Sequence, residues 1–148
     1  MYRNMTLFNE GADPKALSPL ALAFVGDAVF SLYIREMLVS KANMPAGKLH
    51  TLSVQWVNAS SQADGMRKIL PLLTEEELGV FKRGRNAHTS HTPKNQSGCD
   101  YHWATGFEAL LGYLYLKGES QRLGELLKLA CGADGDEITP KNNSSTSD

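Results

Sequence analysis

The sequence predicts an all-α fold, and three observations support this prediction. Ser18 followed by Pro19 is typical of a helix start, because serine caps the first turn and proline fits the first helical position. Thr74 and Glu77 have the spacing of a capping box, in which the two residues satisfy each other's backbone N–H groups. Between these sites apolar residues recur every three or four positions, and we find no alternating stretch convincing enough to indicate a strand.

Five helical stretches follow from these signals. Breakers separate them, among them Pro45, Pro71 and Gly118. Their ranges are Pro19 to about Val39, about Ala46 to Leu70, Glu75 to about Phe81, about Tyr101 to Lys117, and about Glu119 to Cys131. In the first stretch a broad apolar face is formed by Leu20, Phe24, Ala28, Leu32 and Ile34 to Leu38. Residues 1–16 are predicted to be a polar lead-in, residues 17–131 one domain, and residues 132–148 a disordered polar tail.

The composition is that of a soluble globular protein. The chain has 148 residues, of which 42% are hydrophobic and 21% charged, and a net charge of −1. A charge so close to zero does not by itself mark a nucleic-acid-binding protein, so that function would have to come from local clustering. We find no membrane span and no signal peptide. Cys99 and Cys131 follow no disulfide pattern, which predicts reduced thiols in a cytoplasmic protein.

Two apolar helices each carry one conspicuous carboxylate. Asp27 lies next to Gly26 in the apolar run that begins at Pro19, and Glu108 lies between Gly106 and Gly112. An ionised carboxylate is costly to bury without a partner, and glycine weakens a helix. Because residues that disfavour the local structure are often found where function requires them, the acid and the adjacent glycine indicate a functional site. Because small residues let helix backbones approach closely, we expect these two helices to cross near the carboxylates.

Two readings of the carboxylate pair remain open from spacing alone. Carboxylates that meet in a poorly hydrated site repel, and a divalent cation would remove that conflict. Hard oxygen ligands favour Mg²⁺, with Mn²⁺ as an alternative. Otherwise Asp27 and Glu108 are separate residues, each bonded to nearby backbone or hydroxyl groups.

A basic segment, predicted to be a loop, lies between the two carboxylate helices. It has four basic residues and two histidines but no acidic residue: Lys82, Arg83, Arg85, His88, His91 and Lys94. Such a segment can bind phosphate, with Gly84 letting the backbone approach the ligand, or it can be an ordinary solvated loop. His88, His91, Cys99 and His102 could alternatively form a zinc site, although structural zinc usually has more cysteine ligands. Beside a two-carboxylate metal site, the basic segment favours metal-assisted phosphodiester hydrolysis.

Three motifs, in the right order, resemble the ribonuclease III endonuclease domain. They are residues 22–29 (LAFVGDAV), residues 82–87 (KRGRNA) and residues 104–112 (ATGFEALLG). The resemblance covers about residues 17–129. Within that family the motifs are most similar to Mini-ribonuclease III, which has no double-stranded-RNA-binding domain.

Departures from ordinary ribonuclease III concern two further carboxylates of that family. Ala23 stands four residues before Asp27, and Thr105 stands three residues before Glu108, where the larger family has acids. Only Asp27 and Glu108 therefore carry over as catalytic residues and metal ligands. Whether Asp100 or Thr105 assists the metal is left open.

The resemblance implies a homodimer that cleaves double-stranded RNA with Mg²⁺ (or Mn²⁺) and leaves 5′-phosphate and 3′-hydroxyl ends. The implied substrate is bacterial precursor 23S ribosomal RNA, with a ribosomal protein on that substrate as a further candidate partner. We expect the RNA contacts at Lys82, Arg83, Arg85, Asn86, His88 and Lys94. Two alternatives are a non-catalytic RNA-binding protein of the same fold and a helical protein-interaction module.

Overall fold

The computed structural model describes residues 13–87 and 98–132, and every regular element in those ranges is helical. This confirms the all-α prediction. The helices are α1 (Pro19–Lys41), α2 (Ala46–Trp56), α3 (Ala59–Ile69), α4 (Glu75–Asn86), α5 (Gly98–Lys117) and α6 (Ser120–Ala130). Short 3₁₀ turns lie at Pro14–Ala16 and Leu70–Leu72. Among the described residues no helix is long and apolar enough to cross a membrane.

Both predicted helix starts have the expected caps. The backbone N–H of Ala21 donates to Ser18 Oγ at 3.2 Å. At the start of α4, the N–H of Glu77 donates to Thr74 Oγ1 at 3.2 Å, and the N–H of Thr74 donates to Glu77 Oε1 at 2.9 Å. The end of α5 is also as predicted, since Gly118 has a φ of 80°, which a side chain would strain.

Helix α5 is the centre of the domain, with α1, α3 and α4 packed around it. Its side chains are apolar on nearly every face, and residues 104–114 are buried except for the partly buried Glu108, which is typical of a helix enclosed by others. Phe107 contacts Phe30 of α1 edge to face, with ring centroids 5.5 Å apart. The apolar composition of this stretch therefore reflects its central position.

Glycines bring α1 and α5 into backbone contact. A Cβ placed on Gly26 would lie 1.7 Å from the carbonyl oxygen of Glu108, and one on Gly112 would lie 2.0 Å from that of Leu22. No side chain fits at either position, since real Cβ contacts essentially never fall below 3.0 Å. The expected crossing of the two carboxylate helices is thus confirmed, and Gly26 and Gly112 are what permit it.

Two predicted helix boundaries are wrong. The single helix predicted from Ala46 to Leu70 is two helices, because Asn58 caps a new one: its Oδ1 accepts from the N–H of Ser61 at 2.9 Å. Helix α4 continues past Phe81 to Asn86, so the first part of the predicted basic loop is helical. The predicted lead-in up to residue 12 and the tail from residue 133 lie outside the described residues.

A buried ion pair joins the start of α4 to α6. Glu77 is almost completely buried, and Arg122 donates to both of its carboxylate oxygens, at 2.8 and 2.9 Å. Arg122 also donates to the carbonyl of Leu72 at 2.9 Å. The arginine and the capping box hold the pKa of Glu77 below its usual value, so this carboxylate stays ionised.

Candidate active site

The carboxyl groups of Asp27 and Glu108 are close enough to interact, and this interaction contributes to a raised pKa of Glu108. Asp27 lies on the exposed side of α1, whereas Glu108 is partly buried in α5. Their proximity follows from the helix crossing, because Gly26, the residue before Asp27, lies directly against the backbone of Glu108. The prediction that the two helices bring these carboxylates together is therefore met by the geometry.

Electrostatics at this pair favour one shared proton. The pKa of Glu108 is raised from 4.5 to about 8, mainly by burial and further by the charge of Asp27 and a side-chain hydrogen bond with it. At neutral pH Glu108 accordingly keeps its proton, next to the carboxyl group of Asp27. Two carboxylates that must hold a proton between them are a suitable donor set for a divalent cation, which would replace that proton.

The protein supplies few other ligands here. Among residues 13–87 and 98–132 there is no group of three or more His, Cys, Asp or Glu residues that could hold a metal ion. A cation at Asp27 and Glu108 would therefore take its remaining ligands from water and substrate phosphate, as Mg²⁺ commonly does. The donor set fits Mg²⁺ or Mn²⁺ and does not resemble a zinc site.

The residues at the positions of the missing family carboxylates have other contacts. Thr105 is buried, and its hydroxyl donates to the carbonyl of Tyr101 at 2.9 Å, within its own helix. Asp100 accepts from Arg67 at 3.0 Å. Ala23 is buried in the core. These contacts give no support to an additional ligand from Asp100 or Thr105.

The basic residues of the second motif lie on the last turns of α4. Lys82, Arg83 and Asn86 are exposed, and Arg85 is partly buried. Gly84 does not face a ligand, contrary to our prediction: a Cβ there would lie 2.7 Å from Ala109 Cβ and 2.9 Å from Gly106 Cα. It instead lets α4 pack against the turn of α5 that carries Glu108. Helices α1 and α4 therefore both contact the turn of α5 that carries Glu108.

Several predicted residues are not placed. His88, His91 and Lys94 lie outside the described residues, so their expected roles in RNA or zinc binding stay predictions. Cys99 is exposed and Cys131 partly buried, and both are free thiols, as expected.

One feature of the site was missed by the sequence reasoning. Leu20, Phe24 and Leu32, which belong to the broad apolar face predicted for the first helix, are 38%, 82% and 56% exposed. With the exposed Ala28 they form a stripe at four-residue spacing on α1, which we call the α1 stripe; Asp27 lies beside it. The four-residue spacing could have indicated a second apolar face, distinct from the one formed by the buried residues of α1.

Comparison with known proteins identifies the class. Residues 20–119 match the Ribonuclease III domain family, which is more than half of the chain, and the chain belongs to this family. It is therefore an endoribonuclease.

The predicted similarity to Mini-ribonuclease III is confirmed. A Mini-ribonuclease 3 from Thermoanaerobacter sp. (strain X514) is 51% identical over 115 residues, which cover 78% of this chain and 81% of that protein. Another, from Clostridium tetani, is 47% identical over 118 residues, with 79% and 78% covered. The crystal structure of a Fusobacterium nucleatum protein superposes with a TM-score of 0.71 at 29% identity and covers 79% of this chain and 90% of that one.

Proposed function

We propose that this endoribonuclease cleaves double-stranded RNA with a divalent cation, Mg²⁺ or Mn²⁺, held by Asp27 and Glu108. The observation that carries the proposal is the interacting carboxylate pair at the crossing of α1 and α5, in a chain of the ribonuclease III family whose helix α4 ends in a basic turn. Enzymes of this family act on double-stranded RNA and are generally dependent on divalent metals.

Two groups of residues have different roles: the carboxylates bind the cation, and the basic residues contact the substrate. Asp27 and Glu108 hold the cation, which when bound supplies an activated water and neutralises charge on the phosphate. Lys82, Arg83 and Arg85 place positive charge where a phosphate backbone would lie, and charge-assisted hydrogen bonds of this kind are the stronger ones. Hydrolysis would leave a 5′-phosphate and a 3′-hydroxyl.

Recognition of the duplex is expected to depend on shape. A-form RNA presents a shallow minor groove of hydroxyls and phosphates, which backbone contacts from a basic surface can recognise without reading the sequence. Asn86, His88 and Lys94 would add to these contacts. The proposed physiological substrate is a stem of precursor 23S ribosomal RNA in the bacterial cytoplasm, where a ribosomal protein bound to that RNA is a candidate partner.

The test is cleavage of a long RNA duplex by the purified protein, with products sized on a denaturing gel. We expect cleavage with Mg²⁺ and none with EDTA. Asp27→Asn and Glu108→Gln should each lower the rate by at least about 100-fold, since metal stabilisation of the transition state is lost. A matched control is Glu75→Gln, an exposed carboxylate at the start of α4. Undiminished cleavage by the Asp27→Asn protein, or in EDTA, would refute the proposal.

We also propose that the protein is a homodimer in which the α1 stripe packs against its counterpart. Exposed leucines and a phenylalanine in one continuous row are unusual on a monomer surface and typical of an interface. Phe24→Asp should convert the dimer to monomer in light scattering without loss of helicity, because Phe24 makes little contact with its own core. Val54→Asp, at a valine 52% exposed on α2, should leave the dimer intact. A monomeric wild-type protein at micromolar concentration would contradict this proposal.

A further inference from the structure

Two arginines and two aromatic rings form a continuous row across three helices. The Arg67 guanidinium carbon of α3 lies 5.2 Å from the Trp103 ring of α5. Trp103 packs against Phe81 of α4, with centroids 5.0 Å apart and planes tilted by 59°. The Arg85 guanidinium carbon lies 5.5 Å from the Phe81 ring. These separations are within the range in which cations and aromatic rings attract each other.

The first half of the row is anchored. Arg67 donates to Asp64 at 3.1 Å and to Asp100 at 3.0 Å, so its guanidinium is held over Trp103 from two sides. Phe81 is completely buried, and its ring lies so close to Gly106 that a Cβ there would be 2.7 Å from two ring carbons. Gly106 is two residues before Glu108. The ring below Arg85 is therefore fixed relative to the carboxylate pair.

The far end of the row is the part that faces outward. Arg85 is only partly buried, and its Nε donates to Asn86 Oδ1 at 3.3 Å. An arginine side chain has a large rotamer entropy, and ordering it on binding opposes affinity. A ring that already holds the guanidinium in place reduces this entropy cost. The exposed Lys82 and Arg83 have no such ring contact among the described residues and would bear the whole cost.

We propose that Trp103 and Arg67 are positioning residues that fix Phe81, and through it orient Arg85 toward an RNA phosphate near the carboxylate pair. This inference rests on the proposed function, because it takes Arg85 as a contact to duplex RNA. Neither Trp103 nor Arg67 touches substrate in this arrangement. Their effect on binding passes through Arg85.

A double-mutant cycle tests this dependence. Binding of a short RNA duplex is measured without divalent cations, so that the RNA stays intact. Arg85→Gln should weaken binding by about three- to tenfold and lower the slope of log affinity against log salt by roughly 0.7 to 0.9, the loss of one phosphate contact. Trp103→Leu should weaken binding by about threefold in the wild-type background. In the Arg85→Gln background it should have no further effect, because residues that act through one contact are not additive.

Further variants separate positioning from general damage to the fold. Trp103→Phe keeps an aromatic ring and should restore most of the affinity, whereas Arg67→Met should resemble Trp103→Leu. Trp56→Leu, at the second tryptophan, in α2, is the matched control: any effect it has should be the same with and without Arg85→Gln. Thermal unfolding and circular dichroism of each variant confirm that it is folded at the assay temperature.

The outcomes are distinguishable. Equal losses from Trp103→Leu in both backgrounds would overturn the inference while leaving the proposed function intact. An Arg85→Gln variant that binds like wild type would overturn it as well, and would remove Arg85 from the RNA contacts. A wild-type protein that neither binds nor cleaves duplex RNA would refute the proposed function itself.

Discussion

The raised pKa of Glu108 predicts an unusual dependence of stability on pH. The folded protein keeps a proton on Glu108 up to a pKa of about 8, whereas the unfolded chain releases it near 4.5. Between these values unfolding releases a proton, so raising the pH favours the unfolded state. The contribution of Glu108 is therefore least unfavourable below pH 4.5 and is progressively destabilising as the pH rises toward 8.

The magnitude follows from the size of the shift. One pKa unit corresponds to about 1.4 kcal/mol, so the full rise would cost about 5 kcal/mol between pH 4.5 and 8. Water entering the partly buried site would reduce this, and we expect a loss of about 2 to 5 kcal/mol. That is a large fraction of the 5 to 15 kcal/mol by which domains are usually stable.

The assay is urea unfolding in EDTA at fixed protein concentration, repeated at half-unit steps from pH 5 to 8. Glu108→Gln carries no titrating group at this position, so its free energy of unfolding should fall less steeply with pH than that of the wild type. Glu75→Gln, at an exposed carboxylate, should keep the wild-type slope. Equal slopes for Glu108→Gln and wild type would refute the reasoning.

The same urea unfolding series, repeated with Mg²⁺ in place of EDTA, tests whether a cation replaces the proton. If a cation replaces the shared proton, it must compete with that proton, and its stabilising effect should grow as the pH rises from 5.5 to 8. The Glu108→Gln protein should show little stabilisation at either pH. Stabilisation of the wild type that does not change with pH would contradict replacement of the proton.

Two further predictions concern packing. Gly26→Ala should lower the free energy of unfolding by about 3 kcal/mol or more and abolish cleavage, because its Cβ would meet the backbone of α5. Gly124→Ala, whose Cβ would have nothing within 4 Å, should instead stabilise α6 by roughly 0.5 to 1 kcal/mol. Urea unfolding measures both changes. Arg122→Met should cost about 3 kcal/mol at neutral pH, since Glu77 would remain buried without its arginine, and this loss should shrink below pH 4 in an acid-unfolding series.

The sequence was sufficient to predict the central helices and their two carboxylates. Ser18, the Thr74 capping box and Gly118 act locally, so the helix ends that they determine are where the sequence placed them. The carboxylate pair was predictable only in part: the glycines indicated a helix crossing, but spacing alone also allowed two separate carboxylates, and the contact between Gly26 and Glu108 decides for the crossing.

What could not be predicted depends on contacts between distant residues. The periodicity of α1 identifies apolar residues but not which of them contact the protein's own core, so Phe24, which is exposed, was placed on the same apolar face as the buried Ile34 and Leu38. Gly84 could serve a ligand or a neighbouring helix equally well, and only the position of α5 decides between them. The break at Asn58 was missed because the apolar spacing continues across it.

The contact between Gly26 and Glu108 joins two segments that are far apart in the chain. During synthesis α1 leaves the ribosome long before α5, so a nascent chain has one carboxylate but not its partner. No truncated product that ends before α5 can assemble the pair, even if its first helices have formed. On the proposed mechanism, the nascent nuclease would therefore be inactive toward the RNA around it until nearly all of its domain had been translated.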